Sequence, residues 1–117
     1  MKYLVVDDSK LARLSLVKSL KTHIGDAEIY QATNGEEALL LMNQEKVDIV
    51  FLDLTMPVMD GYEALPKLLE SNPKAKIVVV SADVQTKAKE RVIMLGAQLH
   101  IQKPINAEKM QEILEIL

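Results

Sequence analysis

The sequence predicts an α/β protein, a five-stranded parallel sheet in the order 2-1-3-4-5 sandwiched between five helices on its two faces. Three observations predict it. Short apolar runs of strand length alternate with longer segments of helical spacing, the pattern of successive strand–helix–strand units. The runs Leu4–Val6, Ile49–Leu52 and Ile77–Val80 are apolar without interruption, as strands buried on both faces are. The runs Ala27–Ala32 and Leu99–Gln102 mix polar with apolar residues, which suits the second and fifth strands as the sheet edges.

The first strand covers Lys2–Val6 and closes on Asp7 and Asp8. The first helix then carries Leu11, Ala12, Leu14, Leu16, Val17 and Leu20, more apolar positions than one buried stripe requires. Leu11 and Leu14 fall on a different face from Ala12, Leu16 and Leu20. Gly25 follows this helix, where a left-handed cap favours glycine. After the second strand, Thr33-Asn-Gly-Glu36 reads as a capping box that opens a helix to about Glu45. The third strand, Val47–Leu52, closes on Asp53. Asp60 caps a third helix from Gly61, with Glu63 three residues on. Pro66 falls about two turns into that helix and removes a backbone donor, which predicts a kink or a late start. The fourth strand, Lys76–Val80, closes on Ser81, and Gly96 ends the fourth helix. The fifth strand, Leu99–Gln102, closes on Lys103. Asn106 then opens the last helix, in which Met110, Ile113, Leu114 and Leu117 recur at i, i+3, i+4 and i+7. No repeat or linker interrupts the chain, so residues 1–117 read as one domain with no output domain attached. The strand order is that of the flavodoxin-like fold, a three-layer sandwich that binds ligands beyond the carboxyl ends of its strands.

Composition narrows the function classes. The chain is 49% hydrophobic and 26% charged over 117 residues, enough to bury a sizeable core. A net charge of −3 offers no nucleic-acid surface. Zero cysteines exclude a disulfide framework, a thiolate metal site and a thiol nucleophile. Met1-Lys2-Tyr3 runs straight into a strand and leaves no room for a signal peptide. No apolar run approaches the roughly 20 residues of a membrane span. A cytoplasmic protein with no membrane partner is expected. Three tyrosines and one phenylalanine (Tyr3, Tyr30, Phe51, Tyr62), with no hydroxyl- and glycine-rich loop after the first strand, argue against a flavin carrier. A haloacid-type phosphatase needs an acid two residues beyond its nucleophilic Asp, and Thr55 stands there. His23 reads as a surface residue. The six methionines suit core filling and flexible contacts, with Met56 and Met59 facing a partner.

The strand ends carry the chemistry. In a parallel sheet Asp7, Asp8, Asp53, Ser81 and Lys103 meet on one edge. Three carboxylates there resist joint ionisation. A divalent cation and the Lys103 ammonium balance them, and Mg2+ fits because it takes oxygen ligands and keeps several waters. Such a site suits phosphoryl transfer: a carboxylate serves as nucleophile, the cations neutralise the transferring oxygens, and the Ser81 hydroxyl donates to one of them.

The segments Val5-Val-Asp-Asp-Ser9, Asp53-Leu-Thr-Met-Pro-Val-Met-Asp-Gly61, Val80-Ser-Ala82 and Gln102-Lys-Pro104 stand in this order along the whole chain. Together they resemble the receiver domain of two-component response regulators, most closely the stand-alone, chemotaxis-type CheY-like members. The resemblance implies a phosphorelay switch rather than a turnover enzyme. Asp53 would accept a phosphoryl group from the phosphohistidine of a sensor histidine kinase, or from a small acyl phosphate. Asp7 and Asp8 would hold Mg2+ together with Asp53 and the backbone carbonyl of Thr55, while Ser81 and Lys103 bind the phosphoryl group. The Lys103–Pro104 bond would be cis. The kinase would dock through the first helix, at Leu11 and Leu14; polar replacement of Leu11, or charge reversal at an exposed Arg13, should then slow phosphotransfer without much loss of stability. A downstream target or output domain would bind the surface of the fourth helix, fifth strand and fifth helix, about Val84 to Leu117. The protein would be a monomer or a weak phosphorylation-dependent dimer, with chemotaxis as one candidate pathway. The alternative is a receiver-fold adaptor that binds partners regardless of phosphorylation; the intact acid cluster argues against it.

One position departs from the pattern. His100 stands where receivers carry the Tyr or Phe whose rotamer follows phosphorylation. It reads either as a half-exposed edge-strand histidine or as a polar switch residue with a pH-dependent response. Thr55 and Asp83, two residues beyond Asp53 and Ser81, occupy positions that in this family influence how fast water removes the phosphoryl group; Asp83 reads equally as a cap for the fourth helix.

Overall fold

The apolar runs form strands and the longer segments form helices, in strict alternation. A computed structural model describes residues 1–25, 27–83 and 85–117. The elements are β1 (Lys2–Val6), α1 (Lys10–Ile24), β2 (Glu28–Ala32), α2 (Gly35–Gln44), β3 (Ile49–Leu52), α3 (Gly61–Ser71), β4 (Lys76–Ser81), α4 (Thr86–Met94), β5 (Leu99–Gln102) and α5 (Ala107–Ile116). The sheet order is β2-β1-β3-β4-β5, with every pair parallel. The two mixed runs are the edges, as expected.

Residues alternate between the two faces along each strand, and this divides the core into two layers. Leu4, Val6, Val50, Leu52, Ile77 and Val79 pack beneath α2, α3 and α4, against Met42, Leu65, Leu68 and Val92. Tyr3, Val5, Ile49, Phe51, Val78, Val80 and Ile101 pack against Leu16, Val17 and Leu20 of α1 and Met110 and Ile113 of α5. The three central strands are buried on both faces for this reason. Among the described residues, no helix is long and apolar enough to cross a membrane.

Four helices begin on a side-chain cap that accepts an otherwise unpaired backbone N–H. Ser9 accepts from Ala12, Asn34 from Glu37, Asp60 from Glu63 and Asn106 from Lys109. The cap of α2 lies one residue later than expected. Asn34, not Thr33, is the capping side chain, and Glu37, not Glu36, reaches back to accept the Thr33 N–H at 2.8 Å. That bond holds the Glu37 carboxyl below the usual range. Pro66 does not delay its helix: α3 starts at Gly61 and keeps Pro66 on its exposed side.

The loop after β3 folds back on the sheet, and this revises the reading of its methionines. Met56 is 7% exposed and belongs to the core, and Met59 is half-buried, its carbonyl accepting the Gly35 N–H at 3.2 Å. Among the residues that the loop turns outward is Val58, 75% exposed and held at φ 70°. A β-branched side chain is costly at positive φ, and this one packs on little in return. Val58→Gly is therefore expected to raise stability by about 1 kcal/mol, measured by urea unfolding. An unchanged or lower midpoint would contradict it.

Candidate functional site

Sheet register brings the first two acids together. Val6 pairs with Leu52, so the next residues, Asp7 and Asp53, leave adjacent strands side by side. Both follow the alternation onto the α1/α5 side, and each is only 6% exposed. Asp8 sits one residue on and is exposed. One carboxylate oxygen from each of Asp7, Asp8 and Asp53 lies within 4.8 Å of the others.

Local hydrogen bonds shape the turn that carries the first pair. The Asp7 N–H donates to the Ala32 carbonyl at 3.1 Å, which extends the β1–β2 ladder past its end. Asp7 Oδ1 accepts the Ser9 N–H at 2.9 Å, and Ser9 in turn caps α1. Arg13, one turn into α1, closes the arrangement. It is half-buried rather than exposed; its guanidinium donates to the Asp7 carbonyl at 2.7 Å and to the Gln31 side chain at 3.3 Å. Charge reversal at Arg13 would break the loop that presents the acids, so it cannot report on docking alone. A lone arginine among apolar and lysine residues carries no sequence signal of that role.

Lys103 arrives from the other side. Its N–H donates to the Ser81 carbonyl at 2.9 Å, continuing the β4–β5 ladder, and the Lys103–Pro104 bond is cis. The ammonium lies 2.6 Å from Asp7 Oδ2 and 3.3 Å from Asp53 Oδ1. Burial alone would lower the Lys103 pKa, but the hydrogen bonds and charges of the two acids outweigh it and raise it. Asp53 is pushed up, first by burial and then by the charge of Asp7, with Lys103 only partly compensating. One ammonium does not balance three carboxylates. The donor set is all oxygen, and its excess negative charge suits a hard divalent cation.

The remaining candidates are placed differently. Ser81 is 3% exposed and lies, by alternation, on the α3/α4 side of the sheet. Its hydroxyl oxygen accepts the Asp83 N–H at 3.0 Å. Asp83 does not cap α4: its carboxylate accepts the Gln85 N–H at 2.9 Å, and α4 begins after Gln85 without a side-chain cap. Thr55 is exposed in the loop after Asp53, and His23 is exposed on α1 with Nδ1 2.8 Å from the Ser19 carbonyl. Leu11 and Leu14 point outward, 79% and 47% exposed, while Leu16, Val17 and Leu20 are buried. A different face of α1, that of Ala12 and Leu16, lines with Phe51, Pro104 and Ile105 a cavity of about 120 Å3 that opens next to Asp53 and Lys103. Val84, the first residue of the anticipated output surface, lies outside the described residues.

His100 pairs with Val79 and faces α4. It is half-buried, and its Nε2 is buried with no partner among the described residues. Burial lowers its pKa, helped by the nearby Lys89 ammonium and opposed by Asp83. A lowered pKa means that folding disfavours the imidazolium. The stability that His100 contributes is present above about 6.5 and is lost as pH falls below it. His100→Phe is expected to flatten that part of the stability–pH curve. Equal slopes for wild type and His100→Phe would contradict this.

The chain belongs to the response regulator receiver domain family, whose pattern matches residues 3–115. Members of that family are signalling switches of two-component phosphorelays. The chain is 37% identical over 115 residues to the chemotaxis protein CheY of Listeria monocytogenes, covering 98% of this chain and 96% of that protein. It is 38% identical over 111 residues to CheY of Thermotoga maritima, covering 95% and 92%. Among solved structures it resembles a CheX–CheY–BeF3–Mg2+ complex from Borrelia burgdorferi, with a TM-score of 0.89 and 30% identity over 99% of this chain and 88% of that one.

Proposed function

We propose that Asp53 accepts a phosphoryl group from the phosphohistidine of a sensor kinase in a Mg2+-dependent reaction, and that this changes the surface formed by α4, β5 and α5. The observation that carries the proposal is the Lys103 ammonium between Asp7 and Asp53, beside a third carboxylate. Asp7, Asp8 and Asp53, with the Thr55 carbonyl, are the groups that would hold Mg2+. Bound there, Mg2+ would neutralise charge on the transferring oxygens.

An Asp53 carboxylate oxygen forms the new O–P bond as the P–N bond of phosphohistidine breaks. The bonding pair stays on the imidazole nitrogen. Asp53 then carries about two negative charges in place of one. Lys103 is already within 3.3 Å of that carboxylate and needs only a small shift to bind a phosphoryl oxygen. Ser81 must present its hydroxyl from the opposite face of the sheet, which links the site to the loop before α4.

α4 is suited to respond. It has no side-chain cap, no acid in its first turn, and Lys87 and Lys89 there oppose the helix dipole. Only Ala88 and Val92 are buried along it. A near-complete switch needs about 5.5 kcal/mol of differential stabilisation. Charge-assisted bonds from Lys103 and Ser81 supply part of that, and a partner completes it. His100, beneath α4, would follow the shift in place of an aromatic side chain. The relatives named as chemotaxis proteins make a chemotaxis pathway the first place to seek the partner.

The kinase is proposed to dock on α1 through Leu11 and Leu14, the two apolar side chains that this helix turns outward. Leu11→Gln should slow transfer from a phosphorylated kinase about tenfold while leaving acetyl phosphate labelling and stability unchanged. Equal loss of labelling and folding would contradict it.

The deciding experiment is intact mass after incubation with acetyl phosphate, with and without Mg2+, beside Asp53→Asn. A single Mg2+-dependent phosphoryl adduct, absent from the variant, is the expected result. No adduct from either acetyl phosphate or a phosphorylated kinase would favour the phosphorylation-independent adaptor.

A further inference from the structure

Lys109 occupies a position where a lysine is electrostatically misplaced. It is the third residue of α5, and its own N–H donates to the capping Asn106 side chain at 2.9 Å. A cation in the first turn of a helix opposes the helix dipole. Its ammonium nevertheless does not run out into water. It donates to the Gln102 carbonyl at 2.8 Å and to the Pro104 carbonyl at 3.1 Å. Those are the carbonyls on either side of Lys103.

The backbone of Lys103 is thus held from two directions. On the sheet side its N–H donates to Ser81. On the α5 side Lys109 ties the Gln102–Lys103 peptide to the Pro104–Ile105 peptide beyond the proline. The Lys103 side chain reaches Asp7 and Asp53 from that backbone, so its reach depends on where the backbone sits. Pro104 is exposed, and of this loop only Ile105, half-buried, packs against the core.

We infer that Lys109 is a positioning residue for Lys103: it fastens the loop after β5 so that the Lys103 ammonium meets a phosphoryl group on Asp53. The inference rests on the proposed role of Lys103. It also gives the charge-opposed lysine in α5 a function that helix stability does not.

The test uses the full chain and beryllofluoride (BeF3−) as the phosphoryl mimic, with binding followed by NMR in the presence of Mg2+. Mg2+ binding is measured separately without the mimic. Lys103→Met serves as the reference for complete loss of the contact. Lys109→Met keeps the stem and removes the ammonium, and Lys109→Arg keeps a cation able to donate to two carbonyls. For Lys109→Met, beryllofluoride affinity is expected to fall about tenfold while Mg2+ affinity stays within about twofold. Lys109→Arg should restore most of the loss. The backbone amide signals of Lys103 and Pro104-flanking residues should broaden or shift in Lys109→Met and return in Lys109→Arg.

Wild-type failure to bind beryllofluoride would remove the phosphoryl-site reading itself, and the inference with it. Wild-type binding with an unchanged Lys109→Met affinity would overturn only the positioning role. A loss that disappears in high salt, or one matched by Mg2+ affinity, would mark general electrostatics and overturn it too. Should Lys109→Met fold poorly, the Lys109→Gln variant carries the same comparison.

Discussion

Asp53→Asn is expected to stabilise the cation-free protein at neutral pH, by about 1 kcal/mol or more. The wild-type carboxylate is buried beside Asp7, and Lys103 cannot pair fully with both. Its pKa is raised in the folded state, so the folded protein favours the protonated form. The stability that Asp53 contributes is therefore present below the ordinary aspartate value of about 4 and is lost as pH rises through its folded pKa. Asparagine does not ionise, so the gap between variant and wild type should open as pH rises from the acid side and persist at neutrality. A bound divalent cation reverses the comparison by relieving the repulsion in the wild type. Thermal unfolding in EDTA and in Mg2+, for both proteins, reads this directly. A wild type as stable as the variant in EDTA at neutral pH would show that Lys103 and Arg13 already balance the site.

Gly61→Ala should have the larger structural effect, a destabilisation of about 3 kcal/mol with loss of divalent-cation binding. A methyl group on Gly61 would stand 2.3 Å from the Asp53 carbonyl oxygen and 2.8 Å from Leu54 Cα. Both are backbone atoms, and the Gly61 N–H is bonded to the Leu54 carbonyl at 3.0 Å, so neither side can yield alone. The displaced segment would be the one that carries the Asp53 carboxylate. Gly25→Ala makes a useful contrast. Its methyl would meet nothing within 4 Å, and only the φ of 78° opposes it. That change should cost about 1 kcal/mol and leave cation binding intact. If both variants bound Mg2+ normally, close approach at Gly61 would not be what places Asp53.

Much of this was legible in the chain itself. Uninterrupted apolar runs marked β1, β3 and β4, because a strand covered on both faces needs apolar side chains at every position. Asp7, Asp53, Ser81 and Lys103 were legible because each directly follows its strand, and parallel strands put such residues on one edge. The cap of α2 falls one residue beyond the expected Thr33: both residue types cap well, and it is Asn34 that accepts the Glu37 N–H. The sequence places Met56 at the surface because its loop has no periodic pattern; the fold-back that buries it is a tertiary event. Arg13, expected at the surface, is half-buried for a related reason. Its partners, the Asp7 carbonyl and Gln31, come from two other elements.

Layer order and strand-end positions follow from side-chain polarity and spacing along one chain, and the four strand-end motifs carry the family resemblance. Which groups touch depends on how the elements pack. Sheet register set Asp7 against Asp53, and alternation sent Ser81 to the opposite face from the acids. Backbone carbonyls, which carry no sequence identity, recruited Arg13 and Lys109. A carbonyl accepts from whichever donor the fold brings near, so contacts of that kind exist only once the elements have packed.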